Sequence, residues 1–389
     1  MRKRRFWAFL LAASLCFSLA ACGNSSADGQ QSGGTAEPNA PSDAAGGASA
    51  IDWAALKAAS TEPNPKEFGG PTEPAKAPTG IKVALVPSDQ ALSGPAKPAA
   101  AIEAVGKNFD WTVQWFNGKG DPTEQNQAIM DAVSWGADAI CCFSVDAASV
   151  QQGLTAAKDA GIPVVSASNG TDDPNEGTNT VSEGQLDYEF DVGVDYRALG
   201  VAIADWMVGD AGNQGSIVVY GAKEYPSCMA TEYGLLDELA KSDMEISEVQ
   251  YFTGGQVGDE LNRQVIGYLQ AHPEVQYVFM PYDPAAISVV DALSTAGYDD
   301  VKVCSILGTE QYQSLIAEGG CAAASAAYDM EYMGWGCADQ LIRLLNGQEL
   351  SSPHGENTPY CVIDSTNLTD SGDWATSVDY QAAFLKLWK

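Results

Sequence analysis

The residues of this sequence most able to do chemistry sit where regular structure is expected to stop. Apolar runs end in Ser88-Asp89-Gln90, Asn117-Gly118, Phe143-Ser144, Ser168-Asn169, Tyr220-Gly221, Thr253-Gly254-Gly255-Gln256, Tyr282-Asp283 and Thr309-Glu310. These clusters offer hydroxyls, amides, carboxylates and rings, which is the chemistry of recognition. Catalysis would ask for a nucleophile beside a base or a carboxylate dyad. The only histidines, His272 and His354, lie apart from every cluster, and His272-Pro273 reads as a helix terminus. No G-x-S-x-G or phosphate-loop motif occurs, and no His/Cys group has metal-ligand spacing. A binding protein, with no catalytic residue, metal or cofactor, is therefore expected.

The elements that must position these clusters alternate along the chain. Strands are expected at 81–86, 111–116, 137–143, 162–167, 216–220, 249–252, 275–280, 301–306 and 322–326. Helices are expected at 96–107, 122–134, 147–160, 196–208, 227–241, 257–271, 285–296, 312–317 and 330–345. Continuous apolar strands between amphipathic helices mean parallel sheets covered on both faces, an α/β fold. A strand–helix–strand unit recurs: Gly120-Asp121, a helix, Gly136 to Ile140 and a helix ending at Gly161 return as Gly258-Asp259, a helix, Val275 to Phe279 and a helix ending at Gly297. Two doubly wound domains fit this repeat. Ligands of open parallel sheets bind off the carboxyl ends of the strands, so facing domains would share one cleft.

The order and spacing of five segments carry a resemblance. Ile81 to Ser88, Gly136 to Ile140, Asp159 to Val165, His272 to Val278 and Ala285 to Gly297 together resemble type I periplasmic binding proteins of the ribose/galactose-binding group, the substrate-binding components of ABC importers. The likeness runs from Ile81 to about Thr366. It implies two Rossmann-like lobes joined by three crossings, near Glu183–Asp195, Tyr328–Asp329 and Gly355–Tyr360, with a ligand cleft between them. The lobes would be 81–190 plus 329–357 and 191–328 plus 358–368, with 369–389 a C-terminal extension. It also implies a sugar-like solute, hinge closure and an ABC permease as partner, with the protein itself a monomer.

The implied pocket departs from the sugar pattern. An Asp-Arg pair after the fourth strand is Ser168-Asn169 here, the cleft arginine is Tyr233, and an Asn-Asp is Tyr282-Asp283. A hydroxyl-accepting Asp becomes Leu307, a cleft asparagine becomes Phe143, and a hinge glutamine becomes Tyr328. Planar donors and acceptors satisfy buried sugar hydroxyls, so their replacement by rings suggests an aromatic-walled, less polar pocket that could still stack on a sugar face. The expected ligand contacts are Ser88, Asp89, Phe143, Ser144, Ser168, Asn169, Tyr233, Gln256, Tyr282 and Tyr328. Phe143 either lines the cleft or enters the core. Asp146 and Asp283, each ahead of a helix, are expected as helix caps first, and Met330, Met333 and Trp335 as core.

The chain's start bears on location. Arg2 to Arg5 precede an apolar run from Phe6 to Leu19, closed by Leu19-Ala20-Ala21-Cys22, the form of a lipoprotein signal with Cys22 as the lipidated residue. Residues 1–21 would be the signal and 22–80 a tether, within which Ile51 to Ala59 could form a short helix and Thr61 to Gly80 is Pro-rich and extended. Gly23 to Ala50 is rich in Gly, Ser, Ala and Pro and would span about 30 Å as a flexible coil. Of 20 basic residues, loss of the signal's four leaves 16 against 51 acidic, a formal charge of −35. Such a surface repels nucleic acid and anionic headgroups. A lipid-anchored, extracytoplasmic protein follows. Seven cysteines remain beyond Cys22, an odd number inside or near apolar runs, and buried free thiols are expected; Cys304–Cys321 is the pair favoured if a bridge exists. A sugar-responsive repressor would need a helix-turn-helix where the signal stands. A sensor subunit feeding a membrane receptor kinase or chemoreceptor would share the fold and remains the alternative to transport.

Overall fold

The computed structural model describes residues 51–169, 181–351 and 355–389. Cys22 and the segment expected to be a flexible coil, Gly23 to Ala50, lie outside the described residues. Along the chain, α1 (Trp53–Ser60) precedes β1 (Lys82–Pro87), α2 (Ser93–Gly106), β2 (Thr112–Trp115), α3 (Pro122–Trp135) and β3 (Ala139–Phe143). Then come α4 (Gln151–Ala160), β4 (Val164–Ala167), β5 (Asp191–Val192), α5 (Tyr196–Asp210), β6 (Ser216–Gly221), α6 (Pro226–Leu239), β7 (Glu245–Tyr251) and α7 (Asp259–Ala271). The series closes with β8 (Tyr277–Phe279), α8 (Asp283–Ala296), β9 (Lys302–Leu307), α9 (Glu310–Glu318), β10 (Ala322–Tyr328), α10 (Met330–Leu345), β11 (Tyr360–Ile363) and α11 (Tyr380–Leu387).

Local signals explain the boundaries. Asp121 accepts from Thr123 N at 2.8 Å and Glu124 N at 3.2 Å, Pro122 supplies the preset φ of the first turn, and Gly136 at φ 78° ends α3 in the left-handed region. Gly161 and Gly297 end α4 and α8 in the same way.

Two sheets result. The first, in order β2-β1-β3-β4-β5, is wholly parallel; the second, β11-β10-β9-β8-β6-β7, is parallel except for its antiparallel edge strand β11. Both faces of each are buried. Val83 and Leu85 of β1 join one apolar cluster while Ala84 and Val86 join another, on the far side of the sheet. In the second sheet Ile217 and Val219 likewise separate from Val218 and Tyr220. This is why the strands read as unbroken apolar runs. Met330, Met333 and Trp335 are buried in the cluster shared by both lobes. All seven cysteines of the described residues are buried free thiols; Cys304 and Cys321 are not joined, and Cys321 Sγ donates instead to Tyr298 O at 3.3 Å. No helix among the described residues is long and apolar enough to cross a membrane.

The chain leaves the first sheet after Val192 for α5, returns from β10 to α10 at Asp329, and re-enters the second sheet at β11. Two further segments also pass from lobe to lobe: α1 stands where a short helix was expected, but it and the extended run after it pack on the lobes instead of serving as a free tether. Residues 51–80 are packed. In α1, Trp53 is buried against α5, Lys57 Nζ bonds Asp210 at 2.6 Å, and the same ammonium lies over the Trp206 ring. The segment then pairs Asn64 with Tyr360 through two 2.9 Å backbone bonds and gives Glu73 O to Arg343 Nη2 at 2.7 Å on α10. The Pro-rich composition was compatible with the extended run, but it carries no sign of the packing, since Pro and Gly suit a strap bound to the surface as well as a free one.

The C-terminal residues 369–389 are likewise built in. Trp374 N donates to Gly308 O at 2.8 Å beside the second sheet, and α11 then stacks Trp388 on Trp335 of α10 at 5.5 Å. Ala75 N and Ala77 N donate to Leu387 O and Trp388 O, so the two terminal segments pair with each other.

Candidate functional site

Parallel register brings three serines level. Pro87 pairs with Phe143 and Phe143 with Ala167, so Ser88, Ser144 and Ser168 are the next residues of adjacent strands. Ser144 and Ser168 stand at φ 54° and 62°, unusual for side-chain-bearing residues, and Ser144 Oγ donates to Ser168 O at 2.9 Å. Across the cleft Leu307, ending β9, has φ 125°, an outlier for a branched aliphatic. Four residues with strand-end positions or strained backbone thus converge from two lobes on one space.

That space is a chamber of about 600 Å³, counted with its mouth, and no charged side chain lines it. The first lobe contributes Leu92, Gly94, Pro95 and the three serines; the second contributes Tyr196, Tyr225, Cys228, Thr231, Tyr282, Ile306, Leu307 and Tyr328. The rings are braced edge-on in pairs, Tyr196 with Tyr328 at 5.8 Å and Tyr225 with Tyr282 at 6.0 Å. Burial pushes the Tyr328 hydroxyl up to about 12, against the opposing effect of Ser168 and Tyr196 hydroxyls beside it. All four hydroxyls are neutral donors and acceptors at physiological pH. Ser88 is 2 % exposed and its hydroxyl is buried with no hydrogen-bond partner.

A second chamber opens outward from the first. Leu92, Ser144, Tyr225, Tyr282 and Pro284 line both, and the outer one adds Asp89, Lys119, Asp146, Glu224, Thr253 and Gly254. Asp89 comes from the first lobe and Glu224 from the second. Lys119 is held by Glu124 at 2.8 Å.

Six of the expected contacts thus line the cleft: Ser88, Ser144, Ser168, Tyr282 and Tyr328 the inner chamber, and Asp89 the outer. Four do not. Phe143 is fully buried in the core, because the residue that ends β3 faces the layer of α2 and α10 and its successor, Ser144, faces the cleft. Tyr233 lies on the wrong arc of α6; Cys228 and Thr231, one turn apart, face the chamber. Gln256 is spent on its own loop, accepting from Thr253 N at 2.8 Å and donating to Glu260 at 2.7 Å. Asn169 lines neither chamber among the described residues.

Asp146 caps as expected, accepting from Ala148 N at 3.2 Å. Asp283 does not cap α8 but begins it, and its buried carboxylate accepts from Thr309 N, Thr309 Oγ1 and Ser325 Oγ at 2.7 to 3.0 Å. It ties α8, β10 and the end of β9 behind the chamber wall. Sequence reading missed Tyr196 and Tyr225. Tyr196 begins α5 and Tyr225 immediately precedes α6, places where strand-end logic does not look.

A family model described as a periplasmic binding protein domain matches residues 83–349. Among solved structures, an ABC transporter solute binding protein from Mycobacterium smegmatis with bound glycerol is 22% identical at TM-score 0.64, covering 76% of this chain and 99% of its own. One from Agrobacterium vitis bound with alpha-D-tagatopyranose is 20% identical at TM-score 0.65, covering 75% and 97%. An ABC sugar transporter subunit from Rhodobacter sphaeroides is 20% identical at TM-score 0.62, covering 74% and 99%. At these identities the likeness is one of fold. No curated protein matches the chain.

Proposed function

The chain belongs to the periplasmic binding protein domain family, and from that premise we propose that it captures a small solute by hinge closure and delivers it to an ABC permease. It is a binding protein, not an enzyme. One observation carries the reading: an uncharged, tyrosine-braced chamber stands between two lobes at the carboxyl ends of both sheets. A solute there touches both lobes only when they are closed, so it must shift the population toward closure.

Ser88, Ser144, Ser168, Tyr196, Tyr225, Thr231, Tyr282 and Tyr328 are the proposed contacts. The ligand is sugar-like with an apolar face, since rings rather than charged side chains form the walls. Mass spectrometry of the solute that co-purifies, followed by scattering with and without it, tests this. A smaller radius of gyration with ligand supports the cleft. Tight binding with unchanged scattering moves the site elsewhere.

Anchoring belongs to the same proposal. Leu19-Ala20-Ala21-Cys22 supports lipidation at Cys22 and a place outside the cytoplasm, tethered to the membrane. Cys22→Ala should release the protein in detergent-free washing with its folding unchanged; retention on the membrane overturns the anchor.

A further inference from the structure

We propose that the cleft takes an amphipathic solute end-on, a neutral aryl glycoside, with the aromatic group in the inner chamber and the glycosyl unit in the outer. This rests on the solute-binding reading above. The two chambers are continuous through Tyr225 and Tyr282 yet differ in chemistry. A free sugar in the inner one would find the serine, threonine and tyrosine hydroxyls on some sides but would press its remaining hydroxyls on Leu307, Ile306, Pro281 and Pro95, an unfavourable burial. A purely apolar solute would leave the outer chamber's Asp89 and Glu224 carboxylates with only the backbone donors they already hold, Ala91 N at 2.9 Å and Gly254 N at 2.6 Å. Hydroxyl donors answer those carboxylates, and rings answer the tyrosines. An anionic solute meets repulsion at the mouth, since the one lysine there is already paired with Glu124. Among the hydroxyls of the inner chamber, that of Ser88 is buried without a partner and free to bond the solute.

The test uses phenyl glycosides of glucose, galactose and xylose, the free sugars, phenol, and phenyl glucuronide, in calorimetry on the folded protein. Gly94 lines the inner chamber only; a Cβ there would meet nothing nearer than Leu307 Cδ2 at 3.9 Å, across the cleft. Gly94→Leu should therefore fold and fill the inner chamber. At least one phenyl glycoside should bind at least tenfold tighter than its free sugar and than phenol, with the glucuronide tenfold weaker. Gly94→Leu should cost that glycoside tenfold and the free sugar less than threefold, while Asp89→Asn weakens both. A free sugar that binds as tightly as its phenyl glycoside and ignores Gly94→Leu overturns the end-on arrangement and leaves solute capture standing. So does failure of every glycoside while some other solute compacts the protein. Absence of compaction with any co-purified or added solute overturns solute capture itself.

We also infer that the two terminal segments limit how far the lobes open, independently of what binds. Both lie outside the matched span 83–349, and both join the second lobe to the first. Asp373 touches both lobes itself: Oδ1 accepts from Glu310 N of the second lobe at 2.9 Å, and Oδ2 pairs with Lys97 of α2 in the first at 3.1 Å. Thr376 N then bonds Asp329 at the second crossing. Asp373→Asn keeps the acceptor for Glu310 and removes the charge from Lys97. Spin labels at Lys158→Cys and Glu274→Cys read the lobe separation without ligand. Asp373→Asn, and Trp53→Ala in α1, should each shift the distribution to longer distances. Unshifted distributions in both, with melting curves showing folded protein, overturn the restraint.

Discussion

At the scale of single residues, the difference between Phe143 and its neighbour Ser144 decides what each can do. Phe143 is fully buried among first-lobe helices, so Phe143→Ala should cost about 3–5 kcal/mol of stability. Its effect on solute affinity should be small once the variant is folded, measured by denaturant melts beside calorimetry. Tyr282→Ala and Tyr328→Ala should do the reverse at the cleft, weakening the co-purified solute roughly tenfold or more. Tyr328→Phe should cost less, unless the hydroxyl bonds the solute. If Phe143→Ala weakens binding as much as Tyr282→Ala does at equal stability, the assignment of walls is wrong.

At the scale of elements, helix starts and strand ends position the site, and one buried carboxylate holds two of them in place. Asp283 fixes Thr309 after β9 and Ser325 in β10 while standing in the first turn of α8, whose N-terminal end favours negative charge. Asp283→Ala leaves three donors without an acceptor and should cost about 1–3 kcal/mol for each unsatisfied group, less any that rebond. Asp283→Asn keeps an acceptor oxygen and should cost less. Equal losses in chemical melts would show that charge, not the acceptor pattern, matters. The Lys57–Asp210 contact anchors α1 similarly: burial works to raise the Asp210 carboxyl, but donation from Lys302, Lys57 and Tyr277 outweighs it and holds it below the usual range.

At the scale of the whole molecule, the formal charge of −31 and the buried carboxyls predict the pH dependence of stability. Burial raises Asp283 and Asp329 to about 6, outweighing the hydrogen bonds they accept. Burial and the neighbouring Asp339 charge push Glu356 well above its usual value. Groups raised in the folded state hold protons more tightly there than in the unfolded chain. Stability therefore grows as pH falls from 7 through about 6 toward 4, where the unfolded carboxyls also take protons. Asp210 and Asp364 act oppositely: their folded values are depressed, so their contribution is present above about pH 4 and is lost as pH falls further. The melting temperature should peak near pH 5 and decline on both sides. A monotonic fall from pH 7 to 5 would contradict the raised carboxyls.

The alternation of apolar strands and amphipathic helices was enough to settle the α/β class and the repeat of two doubly wound lobes, since strands buried on both faces must read as unbroken apolar runs. The family was legible for the same reason, through segments such as Gly136 to Ile140 whose local geometry constrains their residues. Ser88, Ser144 and Ser168 were legible too, because strand ends can be counted along the chain. Which ring faces the cleft was not. Tyr233 and Phe143 differ from Thr231 and Ser144 by one or two positions, and only helix phase and sheet packing separate them. The edge strand β11 and the packing of the segments 51–80 and 369–389 were hidden: β11 pairs with β10 more than thirty residues earlier, Asn64 pairs with Tyr360 nearly three hundred residues on, and no local pattern encodes contacts of that range.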